Sequence, residues 1–290
     1  MVLYNAVGVF INLLSLNSKN GIKGEMMDKS KSLRILMIGN SFSQDTVEHM
    51  PQMAKSLGFS EYIVGNLVIG GCSINTHYNH SKSGAKAYGF EVYERSKGEW
   101  VNKDEQSLID GITYTDWDFI TLQQVSSLSG KEETYNQEID EMIDFVKAHA
   151  TNKNVKLVWN MTWAYTQGFA GLEAYENDQM SMYKSIIATV QKRIVPNKSF
   201  IKVSPAGTSI QNARTSYIGD NLTRDGFHLS YKLGRYISGL TMFCAVTGYS
   251  PDEISYSPTD VDEKEEKVAK ESVKNALKQK FSITNSKYTN

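Results

Sequence analysis

The sequence predicts an α/β fold, a three-layer α/β/α sandwich around a central five-stranded parallel sheet. Two observations carry that prediction. Short apolar runs of strand length recur along the chain with room for a helix between them, and the intervening segments place their apolar residues at helical spacing. Strands that alternate with helices in this way bury both faces of a parallel sheet beneath helical layers. The 290 residues, 40% hydrophobic and 22% charged, are ordinary for a globular protein. The length suits one domain of about 200 to 250 residues with appendages.

Taken in order, Leu33–Ile38 is an apolar run that ends in a Gly39-Asn40 turn, and it reads as the first buried strand. The spacing over Thr46–Leu57 predicts the helix that follows it, and Tyr62–Ile69 reads as the second strand. Strands over Asp118–Leu122, Val155–Met161 and Phe200–Val203 complete the five, separated by helical patterns over Tyr135–His149 and Tyr175–Arg193. The last core helix, Tyr231–Thr247, shows an inner face marked by Leu229, Leu233, Tyr236, Ile237, Leu240, Phe243 and Cys244, and Gly248 stops it. The longest gap, from Ser73 to about Trp117, is rich in rings and exceeds what one crossover helix needs, so it reads as a lid or substrate-shaping loop. Beyond Pro258, an apolar stripe from Val261 through Val268, Val273 and Leu277 to Phe281 predicts a terminal helix packed on the domain, with the charge run 260–267 as its wet face. The domain organisation expected is thus an amino-terminal extension over 1–32, a core domain over 33–258 and a carboxy-terminal amphipathic helix with its tail over 259–290.

A net charge of −1 and scattered basic residues leave no electrostatic footprint for nucleic acid. Cys72 and Cys244 are the only cysteines, which excludes a zinc ribbon and a disulfide framework but leaves a single bridge open. His77 and His80, three apart, lack the further ligands that a metal site needs. The apolar stretch over Val2–Leu16 is too short and interrupted for a stable membrane span, and it lacks a clear positive leader or cleavage site. It reads either as a degenerate export signal or as an extension upstream of a start at Met26 or Met27.

The chemistry sits in two short segments far apart in sequence, Gly39-Asn40-Ser41-Phe42-Ser43 and Asp225-Gly226-Phe227-His228. The first places Ser41 where a strand hands over to a helix, at the carboxyl edge where open α/β sheets do their chemistry. A serine hydroxyl there needs a base to take its proton and a third group to orient that base. Asp225 and His228, three residues apart, supply both. The α/β-hydrolase elbow is disfavoured, because it requires glycine two residues after the nucleophile, where this chain has Ser43.

From Leu33 to Gly248 the chain resembles the SGNH (GDSL-like) hydrolases, whose first block carries a Gly-x-Ser nucleophile and whose last block is Asp-x-x-His. That resemblance implies the family's flavodoxin-like sandwich. It also implies an oxyanion-hole glycine after the second strand, which matches best at Gly71, with Gly70 as its rival. The family's third block usually holds an Asn, whereas here Leu122 runs into Gln123-Gln124. Carbohydrate-esterase branches of the superfamily are similar in using Gln, so the role falls on Gln124, with Gln123 as the alternative.

The expectation is therefore a serine ester hydrolase that removes acetyl or short acyl groups from a carbohydrate. Its triad is Ser41, His228 and Asp225, and its oxyanion hole is the N–H groups of Ser41 and Gly71 with the Gln124 amide. His77, Tyr78 and Trp163 are the expected substrate-binding residues, and no metal or organic cofactor is required. The partner is a small-molecule or glycan ester, and export to the periplasm or medium is favoured over the cytoplasm by the habits of the resembling esterases. The sequence is silent on oligomeric state. The alternative is a glycan- or anion-binding protein on the same fold, since a strand-to-helix turn presents N–H groups to anions without turnover. Asp225-x-x-His228 discriminates, because a binder has no need of an oriented base.

Overall fold

The computed structural model describes residues 32–290. The apolar amino-terminal stretch, with Met26 and Met27, lies outside the described residues. The strands are β1 (Leu33–Gly39), β2 (Tyr62–Val68), β3 (Tyr88–Glu94), β4 (Trp100–Gln106), β5 (Phe119–Leu122), β6 (Lys156–Asn160) and β7 (Phe200–Ser204). The helices are α1 (Ser41–Val47), α2 (Met50–Ser56), α3 (Ile74–Ser83), α4 (Leu108–Ile112), α5 (Glu138–His149), α6 (Gln179–Arg193), α7 (Ala206–Arg214), α8 (Leu233–Thr247) and α9 (Glu263–Lys278).

All seven strands form one sheet in the order β4-β3-β2-β1-β5-β6-β7. The five expected strands are its parallel part, β2-β1-β5-β6-β7. The expectation of a five-stranded, wholly parallel sheet is corrected at the β2 edge, where β3 and β4 continue the sheet as an antiparallel hairpin. The segment read as a lid is largely this hairpin, preceded by α3 and followed by α4. Its residues fit the role: Tyr88, Phe90 and Val92 alternate inward along β3, and polar Asn102, Asp104 and Glu105 on β4 blunt the exposed edge.

Ile35, Leu36, Met37 and Ile38 of β1 are all fully buried, as expected for a strand covered on both faces, and each such burial stabilises by roughly 1.5–3 kcal/mol. Successive side chains of a strand point to opposite faces, and β2 shows what covers each. Asn66 meets Ser43 of α1, while Leu67 packs under Gly111 of α4, where an added Cβ would stand 2.3 Å from its Cδ1. Helices α3, α4 and α5 pack together, as do α1, α2, α7, α8 and α9, giving the three layers. The helix expected over Thr46–Leu57 is broken between α1 and α2, because Pro51 has no N–H for the carbonyl four residues back. α7 escaped the periodicity because every one of its residues is buried, polar ones included.

The carboxy-terminal segment is part of the same body. Asp262 caps α9 in a box with Glu265, Lys232 pairs with Glu265 at 2.7 Å, and the Tyr217 N–H donates to the Tyr288 carbonyl at 2.8 Å. Among the described residues no helix is long and apolar enough to cross a membrane.

Candidate active site

Asn40 leaves β1 in an extended conformation and caps α1, its side chain accepting the Phe42 N–H at 3.0 Å. Ser41 is thereby the first helical residue, a position whose N–H has no partner within the helix. Ser43, the other serine of the motif, is buried and bonded to the Asn40 carbonyl and to Asn66, each at 2.7 Å. Packing therefore separates two serines that look equivalent in sequence.

The loop before α8 brings His228 to Ser41, with Nε2 2.8 Å from Oγ. On the other side of the ring, Nδ1 lies 2.6 Å from Asp225 Oδ2. The second carboxylate oxygen accepts the His228 N–H at 2.8 Å and the Phe227 N–H at 3.3 Å. Partial burial opposes ionisation of Asp225, but the bonds from the His228 ring and the two amides outweigh it and hold the carboxyl below its usual value. Gly226 lets the loop turn this tightly: its φ is +96°, and a Cβ there would stand 2.4 Å from the Phe169 ring.

Gly71 lies in the turn after β2, with φ +64° and open space around its Cα. Asn40 holds this turn against the serine, its Nδ2 donating to the Cys72 carbonyl at 3.0 Å. The expectation for Gln124 is corrected. Its Oε1 accepts the Ile74 and Val125 N–H groups at 3.0 and 2.9 Å, and its Nε2 faces the Thr134 carbonyl and hydroxyl at 3.3 Å. With both ends engaged, the side chain anchors the start of α3 and has no free donor for an oxyanion. Gln123 points instead to the turn that carries Ser41, donating to Asn40 Oδ1 at 3.0 Å and accepting from Asn160 Nδ2 at 2.9 Å.

The three expected substrate-binding residues are not brought together as a wall. His77 is fully buried, 2.9 Å from the Tyr88 hydroxyl, and burial with the nearby His80 pushes its pKa down to about 3. Trp163 is also fully buried, stacked on Phe42 with centroids 4.1 Å apart, so no substrate reaches its face. Its Nε1 donates to the Phe227 carbonyl at 2.8 Å, which steadies the residue beside His228. Tyr78 sits at the seam between α3 and α5, under the Lys82 ammonium, which pairs with Glu141 of α5 at 2.9 Å. Cys72 and Cys244 are free and buried, and burial pushes the Cys72 thiol up to about 12, which removes it as a nucleophile. Among the described residues no group of three or more His, Cys, Asp or Glu is placed to hold a metal ion.

Asp45 was not singled out from the sequence, yet it joins the two halves of the site. Fully buried, it accepts the Leu229 N–H at 2.8 Å and pairs with Arg224 and Arg235 at 3.0 and 2.8 Å. The available signal was a carboxylate on the inward face of the helix that begins with Ser41.

Residues 34–276 match the family described as "Domain of unknown function (DUF4886)". A crystal structure of a DUF4886 family protein from Bacteroides uniformis is 34% identical and superposes with a TM-score of 0.85, covering 90% of this chain and 100% of that one. A proposed SGNH hydrolase from Slackia heliotrinireducens is 20% identical with a TM-score of 0.47, covering 74% of this chain and 100% of that one. A proposed acylhydrolase from Bacteroides fragilis is 15% identical with a TM-score of 0.44, covering 74% and 85%. No curated protein matches the chain.

Proposed function

The chain belongs to the DUF4886 family, and from the geometry of its site we propose that it is a serine ester hydrolase acting on acetyl or short acyl esters of a carbohydrate. The observation that carries this reading is the continuous line from Asp225 Oδ2 through the His228 ring to Ser41 Oγ, at 2.6 and 2.8 Å. With Nδ1–H donated to Asp225, Nε2 is the acceptor for the serine proton.

In the proposed reaction His228 takes that proton as Ser41 Oγ bonds to the ester carbonyl carbon. The carbonyl oxygen becomes an oxyanion, met by the backbone N–H groups of Ser41 and Gly71. The tetrahedral species expels the sugar alkoxide, which receives the proton from His228. Water, deprotonated in turn by His228, adds to the acyl carbon, and the acid leaves as Ser41 Oγ takes the proton back from His228. Asp225 holds the tautomer and supports the imidazolium. Gln123 and Asn160 act by positioning Asn40, and Gln124 by holding the segment that follows Gly71.

Hydrolysis of p-nitrophenyl acetate by the parent protein and by Ser41→Ala tests the reading. The variant is expected to keep its circular dichroism spectrum and to lose turnover by about 10³-fold or more. An alanine variant as fast as the parent would remove Ser41 from the mechanism.

A further inference from the structure

Beside α1 the structure holds a second concave feature that the triad does not line. It is a cavity of about 440 Å³ between α1, the β3–β4 hairpin and the start of α8, within the ~300–1,000 Å³ usual for small-molecule sites. Its lining adjoins the triad along the chain: Gln44 lies one helical turn beyond Ser41, and Arg224 immediately precedes Asp225. We propose that this cavity is a sugar subsite, which takes a neutral pentose or hexose ring of the substrate while the ester reaches Ser41.

The strand pairing sets the wall chemistry. Glu91 stands opposite Asn102, and Tyr93 opposite Trp100. Glu91 bonds to Asn66 at 2.9 Å and to Gln44 of α1, so this face of the hairpin looks toward α1. The wall thus alternates carboxylate and carboxamide groups, donors beside acceptors, as vicinal hydroxyls require. Two rings border it. Trp100 is half-buried and braced edge-on by Tyr93 at 5.7 Å. Tyr231 is 63% exposed, held by the Arg224 and Arg235 guanidinium groups at 4.7 and 4.5 Å from its centroid. Partly exposed rings of this kind offer apolar area to the C–H face of a sugar while their polar surroundings stay wet.

Charge selects a neutral ligand over an anion. The lining carries two arginines and two glutamates, and both arginines are already committed. Arg224 and Arg235 share buried Asp45, and Arg235 also pairs with Glu48. Neither has a cationic head left uncompensated for a phosphate or a uronate.

This inference rests on reading the triad as a carbohydrate esterase, and the test separates the two. Titration calorimetry of the Ser41→Ala protein with xylotriose and cellotriose, neither esterified, is expected to give binding that weakens about tenfold in Trp100→Ala and in the milder Asn102→Ala. With Ser41 intact, the same two variants should raise KM for acetylated xylotriose about tenfold while hydrolysing p-nitrophenyl acetate within about twofold of the parent. No binding of either triose, binding untouched by both substitutions, or tighter binding of a glucuronate-substituted xylotriose would each overturn the subsite. Triose binding that needs Trp100, in a protein that hydrolyses neither ester, would uphold the subsite and refute the esterase reading.

Discussion

The Leu229 N–H donates to a carboxylate oxygen of Asp45 at 2.8 Å, so the residue that follows His228 is pinned to the helix that begins with Ser41. The two segments are more than 180 residues apart in sequence, and this buried bond, with the Arg224 and Arg235 pairs to the same carboxylate, sets their separation. A general base must lie within hydrogen-bond reach of the proton it removes. Asp45 therefore connects the stability of the fold to the geometry of the site.

Asp45→Ala is expected to destabilise the protein by about 3–5 kcal/mol, because it leaves the buried Leu229 amide and Arg224 without their carboxylate and Arg235 with Glu48 alone. Asp45→Asn keeps an acceptor for the Leu229 amide and should cost less stability while still slowing turnover. Urea midpoints and kcat for both variants check this, and a parent-like midpoint for Asp45→Ala would remove the pin.

The pH dependence follows from the depressed Asp225 carboxyl. Since that group stays ionised well into acid, its protonation should add nothing to the acid limb of kcat/KM, and the limb should fall with a slope no steeper than one. A limb approaching a slope of two would mean that the carboxylate gains a proton in the same range. Asp225→Asn should lower kcat by roughly 10⁴-fold if the charge and tautomer matter as they do in comparable triads.

The two glutamines divide differently from the sequence expectation. Gln124→Ala leaves the Ile74 and Val125 amides without their acceptor, a cost of about 1–3 kcal/mol in stability. Its loss of kcat should stay below the ~10²–10³-fold typical of a missing oxyanion donor. Gln123→Ala should slow turnover more than Gln124→Ala, by freeing Asn40 at the turn that carries Ser41. Thermal melts and kcat, measured on the same samples, decide it. A large kcat loss in Gln124→Ala with unchanged stability would restore the direct role.

His77 makes a prediction about acid stability. Folded, its pKa is pushed to about 3, against an ordinary value of 6.5. Between those values the unfolded chain binds the extra proton, so stability is full above about pH 6.5 and falls as pH drops toward 3. His77→Phe, which loses the Tyr88 contact, should be less stable than the parent near neutral pH but lose less between about pH 6.5 and about pH 4.5. Urea midpoints at those two values check it, and parallel declines would assign the acid sensitivity elsewhere.

Much of the molecule was legible in its residues by local physics. The apolar run before Gly39-Asn40, the helical spacing of Leu233 through Cys244 and the Asp225-x-x-His228 spacing each depend on near neighbours, so pattern alone placed the five parallel strands and named Ser41, Asp225 and His228 as candidates. Tertiary structure decided what local pattern cannot express. Ring-rich 88–94 is a strand because β2 offers it an open edge, and α7 is helical although burial on every side erases its periodicity. Trp163 and His77 lie at positions where a binding residue and a core residue look alike in sequence, and only packing shows that both are enclosed. Gln123 and Gln124 are chemically identical, and the alternation of side chains along an emerging strand sends one to Asn40 and the other to α3. Asp45 has meaning only through Leu229, Arg224 and Arg235, partners nearly two hundred residues away that no local spacing could pair with it.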